Sequence, residues 1–402
     1  MKDAVRNANA FKPATAVIKA NARGNYMVSA ISIRDRLIKN CVSCDIKRII
    51  VIGGKTDGEG KSYIEYANEK SSTIEHVSKT TDVTVSDREA TIYVEDGFLL
   101  HTALLEEFIA SDAKTMKNPS DGKDIFSKTA FSQQDKPSGT ADEIFEADPF
   151  KIFPIQSDNL PEARSRLFKW LSKESDGYIS KTLNRPISTF FSRFFAEYPI
   201  PPVYFTALTA ILALVMTYVL LTGGEAGILW GCLLFHVASV VDGIDGEIAR
   251  AKYQTSFSGA KLDTTIDMIT NILFMGAMSY TLWHTYGDNY LIYGFYIVAL
   301  AVMGVLLMTA LLYFGPGGGR FDILANTIRQ RYTNRPQMLK IFNFCNYFIK
   351  RDAFAFLFAI YGLLGLGKYI PAFLIFGLVV WNLAILTNAR AILSIGRTGS
   401  KI

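Results

Sequence analysis

Two pairs of aspartates stand where an apolar chain ordinarily carries none. From Val241 the sequence runs VDGIDGEIARAKYQTSFSGAKLDTTID, with Asp242 and Asp245 three apart and Asp263 and Asp267 four apart. Those are the two spacings that put side chains on one face of a helix. A hairpin between the two helices returns both pairs to the same depth. Four carboxylates converging there repel one another, and charge at the end of apolar helices is costly unless compensated. Divalent cations supply that compensation. An all-oxygen donor set suits Mg2+ or Mn2+, and these ions in turn suit a diphosphate. Ion pairing with Arg250, Lys252 and Lys261 would account for one acidic pair as a helix cap; four aspartates in register, with glycines between them, favour metal binding. Gly246 and Ala249 leave a shallow strip where a flat base can approach the backbone. Gly259, one turn before Asp263, permits close helix contact.

The elements that must position these residues are membrane spans. The chain has 402 residues, 50% of them hydrophobic, and the apolar residues are unevenly spread. Up to about Glu174 the sequence has ordinary soluble character; from about Val203 it becomes long apolar runs broken by short polar loops. A span needs about 20 residues, and six are placed near 203–222, 226–249, 260–284, 290–314, 352–368 and 370–394. Cations crowd alternate loops: Arg250, Lys252 and Lys261 in one, Arg320 to Arg351 in another, Arg397 and Lys401 at the end. Positive charge marks the cytosolic side, so both termini and the aspartates are expected there, in a multi-pass protein of a bacterial or archaeal cytoplasmic membrane. The polar N-terminus, Met1 to Lys12, has no signal-peptide core.

The soluble part reads as α/β. Ala16–Ala20, Ile49–Ile52 and Ala90–Val94 are expected strands, Val28–Val42 and Thr102–Ile109 helices, and Ser111–Gly139 an exposed polar loop. Leu160–Ser192, with Phe190, Phe191, Phe194 and Phe195 beside Arg185 and Arg193, reads as helices lying in the membrane interface, as does Gln337–Phe348. The division is 1–159 soluble α/β, 160–202 juxtamembrane, 203–402 membrane domain. Cys41 and Cys44 form a C-x-x-C without the second ligand pair of a zinc site. The net charge of +5 comes without a basic stripe interleaved with aromatics, so no nucleic-acid partner is expected.

Asp242, Asp245, Gly246, Ala249, Arg250, Gly259, Asp263 and Asp267 reproduce every fixed position of the D-x-x-D-G-x-x-A-R…G-x-x-x-D-x-x-x-D signature, and the chain from about Asp176 onward resembles the CDP-alcohol phosphotransferases. The resemblance implies transfer of a substituted phosphate from a CDP-linked alcohol to an acceptor hydroxyl, with release of CMP. It implies that Asp242, Asp245 and Asp263 hold Mg2+ or Mn2+, and that Asp267 is a metal ligand or the base toward the acceptor. Gly246, Ala249, Arg250 and Gly259 would form the CDP site, and a homodimer is implied as well. Two further segments, DGYISKTLNRPIS (Asp176 to Ser188) and KRDAF (Lys350 to Phe354), look like fusions related to inositol-1-phosphate cytidylyltransferase/di-myo-inositol-phosphate-phosphate synthase, in which a nucleotidyltransferase domain precedes the membrane domain.

Here the soluble domain departs from that pattern. The loop after the first strand reads Ala20-Asn21-Ala22-Arg23-Gly24, short of the glycines that let a backbone approach phosphate. The paired metal acids are reduced to Glu95-Asp96-Gly97-Phe98. The domain is therefore expected to be catalytically inactive, with a regulatory, docking or dimer-supporting role.

Arg351 and Arg390, at the expected cytosolic face, are candidates for holding a phosphorylated polyol acceptor such as an inositol phosphate. CDP-diacylglycerol is the expected donor, in phospholipid biosynthesis beside membrane lipids. A soluble CDP-polyol as donor, or a non-catalytic membrane scaffold, are the alternatives; a transporter would want broken helices or inverted repeats, and none is visible.

Overall fold

The computed structural model describes residues 13–53, 61–66, 70–79, 90–119, 122–129, 144–172, 176–314 and 350–394, with isolated positions 83, 85 and 337. The chain forms two compact units. One comprises Met1–Ser172, Phe191–Pro202 and Gly246–Gly259; the other comprises Lys173–Phe190, Val203–Asp245 and Ala260–Ile402.

The first unit is α/β. In chain order it holds β1 (Thr15–Lys19), β2 (Met27–Val28), β3 (Ile31–Ser32), α1 (Ile33–Ser43), β4 (Arg48–Ile52), β5 (Lys61–Tyr66), β6 (Lys70–Val77), β7 (Thr91–Glu95) and β8 (Phe98–Leu100). Then come α2 (Thr102–Ala110), β9 (Thr115–Lys117), β10 (Asp124–Thr129), β11 (Ile144–Glu146), β12 (Ile152–Pro154) and α3 (Leu160–Trp170). Eight strands make one sheet in the order β11-β9-β10-β7-β1-β4-β6-β5. Its centre is parallel, β1 pairing with both β4 and β7, and β4 with β6. TAVIK and RIIVI are continuous apolar runs, as strands covered on both faces require. Leu37, Ile38, Cys41 and Val42 of α1 join Ile18, Ile49 and Ile92 in the buried core.

Three sequence expectations need correction. The helix expected over Val28–Val42 begins only at Ile33, because Ser32 caps it, accepting from the Asp35 N–H at 3.0 Å. Ser29 and Ala30, at φ +53° and +58°, instead form the turn of the β2–β3 hairpin. The expected loop over Ser111–Gly139 contains β9 and β10, whose Met116, Ile125 and Phe126 are buried in the core; 130–139 lie outside the described residues. The span expected over 352–368 is interrupted after Leu363. Gly365, at φ +67°, ends that helix, and a 3-10 turn follows at Gly367–Tyr369.

Lys128 on β10 gives a testable feature of this core. Its ammonium lies 4.4 Å from the centre of the Phe108 ring and donates to Ser111 O at 2.6 Å, and burial pulls its pKa down to about 8 from 10.5. Between those values the unfolded chain binds more protons at this site than the folded one, so its contribution to stability rises with pH. Relative to Lys128→Met, the wild-type unit should gain stability from pH 7.5 to 10, read by hydrogen exchange of the sheet amides. A pH-independent difference would count against the shift.

The second unit is helical. After a π-helical turn at Ser180–Asn184 come α4 (Arg185–Phe195), α5 (Val203–Thr222), α6 (Gly224–Ala251), α7 (Phe257–Tyr286), α8 (Asn289–Phe314), α9 (Arg351–Leu363) and α10 (Ile370–Ser394). Helices α4 and α6 run on into segments assigned to the first unit. Among the described residues, four helical stretches are long and apolar enough to cross a membrane: Val203–Thr222, Gly224–Ala251, Asn289–Leu311 and Gly367–Thr387. The other two expected spans fall on α7, 30 residues long with Lys261, Asp263 and Asp267 near its start, and on α9, only 13 residues long. Leu208, Ile211 and Leu214 on α5 and Phe295, Val298 and Val302 on α8 are exposed, an apolar exterior of the kind that marks a surface meeting a partner or a membrane. Inside, Phe235 stacks on Phe274 at 4.1 Å and Phe274 on Phe358 at 5.6 Å, tying α6, α7 and α9 together. The interfacial helix expected at Gln337–Phe348 lies outside the described residues, Gln337 excepted.

Candidate active site

Asp242 stands on α6 seven residues beyond Phe235, two turns along the same face. Asp263 and Asp267 occupy consecutive turns of α7. Across these two helices the three side chains converge: one carboxylate oxygen from each lies within 4.8 Å of the other two, and all three residues are half-buried. The Arg351 guanidinium, at the first residue of α9, reaches into the group. Its Nη1 is 3.5 Å from Asp242 Oδ2 and contacts Asp267 Oδ1, while its face lies 6.0 Å from the Phe235 ring centre. A side chain 13% exposed drawn onto two carboxylates shows how strongly this spot attracts positive charge. Three convergent oxygen donors on an apolar floor fit a hard divalent ion.

Asp245 is not in that group. It is buried one turn further along α6, where Oδ2 accepts from Thr206 Oγ1 of α5 at 2.5 Å. The sequence does not single out Thr206, since α5 carries Thr209, Thr217 and Thr222 as well and nothing local sets one hydroxyl apart. At the next residue, a Cβ added at Gly246 would come within 3.0 Å of Arg250 Nη1, so the Arg250 side chain folds back along the helix over Gly246. Gly259, in the first turn of α7, donates its N–H to Ser256 Oγ at 3.0 Å. Arg390 belongs to α10; its side chain, and Arg320 altogether, lie outside the described residues.

The two further segments singled out in the sequence meet in space. Asp352 Oδ2 accepts from the Ser180 N–H at 2.7 Å, and a Cβ at Gly177 would lie 2.6 Å from the same oxygen. Only glycine leaves room for that carboxylate. Arg185 Nε donates to Asp176 Oδ2 at 2.8 Å, so DGYISKTLNR is locked on itself and onto the start of α9, next to Arg351.

Residues 200–389 match the family model described as CDP-alcohol phosphatidyltransferase. The C-terminal half carries a CDP-alcohol phosphatidyltransferase domain. The chain is also similar to proteins named bifunctional IPC transferase and DIPP synthase. That of Aquifex aeolicus is 32% identical over 124 residues, 30% of this chain and 28% of the relative. That of Thermococcus kodakarensis is 33% identical over 125 residues, 31% and 28% respectively. That of Archaeoglobus fulgidus is 35% identical over 104 residues, 26% and 20%. The chain thus matches less than a third of the length of each of these relatives.

The α/β unit has its own buried ionic centre at the carboxyl ends of β1 and β7. In the strand order the chain leaves β1 for β4 on one flank and β7 for β9 and β10 on the other, and an open α/β sheet binds ligands where the strand order reverses in this way. Here it is filled from within. The Asp96 side chain is fully buried, accepts from the Asn21 N–H at 2.7 Å and pairs with Arg34 Nε at 2.6 Å. Arg34 also donates to Asn21 O at 2.9 Å, and a Cβ at Gly24 would collide with the Asp96 carboxylate. Burial pushes the Asp96 carboxyl pKa up, against the opposing pull of the Asn21 N–H and Arg34.

Proposed function

We propose that the chain is a metal-dependent CDP-alcohol phosphotransferase, moving a substituted phosphate from a CDP-alcohol to an acceptor hydroxyl with release of CMP. The observation that carries this reading is the convergence of Asp242, Asp263 and Asp267 from two helices. These residues, with Asp245 one turn away, hold Mg2+ or Mn2+. Bound there, the ions neutralise the diphosphate and the charge gathering on departing CMP. Asp267 takes the proton from the acceptor hydroxyl, whose oxygen forms the new bond to phosphorus as the bond to CMP breaks. Gly246, Ala249, Arg250 and Gly259 receive the CDP moiety. Arg351 and Arg390 bind a phosphorylated polyol acceptor.

The donor we favour is CDP-diacylglycerol, because the apolar exteriors of α5 and α8 suit a lipid product. A soluble CDP-polyol is the second reading, supported by the local similarity to proteins named DIPP synthases. The membrane domain works as six spans with both termini and the carboxylates on the cytosolic side, in a homodimer. The α/β unit transfers no nucleotide. What supports this is the Asp96 carboxylate, which occupies the loop amide a phosphate would need.

The test is CMP release by purified protein, with Mg2+ or Mn2+, across a matrix of CDP-alcohols and alcohol acceptors. Release that needs one donor–acceptor pair and stops on metal chelation is expected. Failure with every pair, or release indifferent to chelation, would overturn the reading.

A further inference from the structure

Between Asp245 and Asp263 the chain runs through Gly246–Gly259, a segment that belongs to the compact α/β unit. Helix α6 ends there in a Schellman turn. The Gln254 N–H donates to Ala249 O at 2.8 Å and the Tyr253 N–H to Arg250 O at 3.3 Å. The left-handed position of this turn ordinarily goes to glycine, yet it holds Tyr253 at φ +54°. Something other than the turn must favour a tyrosine.

That something is α1. The Tyr253 hydroxyl donates to Asn40 Oδ1 at 2.8 Å, and the ring lies 5.7 Å from the Arg36 guanidinium and 5.8 Å from the Lys39 ammonium. Asn40 is buried and fixed in turn, donating to Leu100 O at 3.2 Å and accepting from Thr102 Oγ1 at 3.0 Å. Arg36, also buried, donates to Ala251 O, the last carbonyl of α6, at 2.8 Å and to Val28 O at 2.5 Å. A cation capping a helix C-terminus meets both its open carbonyls and its dipole. Lys252 adds a bond to Tyr198 O. Arg36 and Asn40 are buried polar groups, costly unless paired, and each divides its bonds between the α/β fold and the 251–253 turn.

We propose that Arg36, Asn40 and Tyr253 form a clasp through which the α/β unit fixes the end of α6 and the exit of the chain toward α7, holding Asp242 in register with Asp263 and Asp267. Helix α6 is unbroken from Asp242 to Ala251, and α7 begins six residues before Asp263. A loosened turn therefore lets one aspartate pair rotate against the other. Tyr253 is a positioning residue. The inference rests on the carboxylates being a metal site.

The test measures Mn2+ binding to the purified full-length protein by electron paramagnetic resonance, beside the Mn2+ concentration that half-activates CMP release. Tyr253→Gly keeps the turn in its preferred residue and removes the grip. Tyr253→Phe keeps the ring and loses the hydroxyl, and Asp263→Asn is the control for the site. We expect Tyr253→Gly to weaken Mn2+ binding about tenfold, the scale of lost supporting contacts at metal sites, with Tyr253→Phe in between and thermal stability little changed. If Asp263→Asn loses Mn2+ while both Tyr253 variants bind like wild type, the clasp is wrong and the metal site stands. If Asp263→Asn binds Mn2+ as wild type does, the metal site is wrong and the clasp falls with it.

Discussion

Asp267→Asn should lower the turnover of CMP release by about 10²–10⁴-fold, the usual contribution of a positioned general base, while the KM for the CDP-alcohol changes little. The amide keeps the size of the carboxylate and its place on α7, so α6, α7 and α9 stay packed through Phe235, Phe274 and Phe358. What it loses is the capacity to accept a proton and half of the charge pairing with Arg351. A metal titration separates the two roles open to Asp267. A lost ligand weakens metal affinity, so excess Mn2+ restores the rate; a lost base leaves a slow enzyme at every metal concentration. Fall of turnover and donor kcat/KM together marks an interaction made in the transition state. Unchanged turnover at saturating metal would remove Asp267 from the chemistry.

The aspartate pairs were legible because helical spacing is local and their apolar setting makes four acids conspicuous. Convergence of Asp242 with Asp263 and Asp267 follows from two helices meeting. The departure of Asp245 toward Thr206 does not, since it depends on how α5 is rotated against α6. The Arg351 contact was beyond reach in detail. The sequence showed a cation near the expected cytosolic face; only the packing of α9 puts it on Asp242 and Asp267. Likewise DGYISKTLNR and KRDAF stood out separately, and the Asp352 bond to Ser180 that joins them is a tertiary fact.

In the fold, β1, β4 and β7 announced themselves as buried β-branched runs. β5 and β6, reading KSYIEY and KSSTIEHV, did not, because strands toward a sheet edge keep polar residues. β9 and β10 were concealed by turn-forming and charged neighbours around Met116, Ile125 and Phe126. Apolar runs located α5, α8 and α10 well, since hydrophobic length governs where such helices start and stop. α9 ends early, before Gly365, whose left-handed conformation nothing in GLLGLGK announces.

Asp96→Ala should destabilise the α/β unit by about 3–5 kcal/mol, the range for removing one partner of a buried ion pair. Arg34 is left with 12% of its side chain exposed and no carboxylate beside it; Asn25 Oδ1 at 2.8 Å and Asn21 O at 2.9 Å remain its partners. The Asn21 N–H at the end of β1 loses its acceptor as well. Hydrogen exchange on the intact protein reads the loss where it falls, with amides of β1 and β7 losing protection while those of α5 and α8 keep theirs. The same variant tests whether Asp96 alone closes the switch point of the sheet. Truncating the carboxylate to a methyl group opens space beside Gly24, yet the loop still carries Asn21, Ala22 and Arg23 where close backbone approach to phosphate calls for glycines. CTP should therefore restore no protection to Asp96→Ala. Protection regained with CTP would mean that the carboxylate alone closes a nucleotide site which the rest of the fold retains.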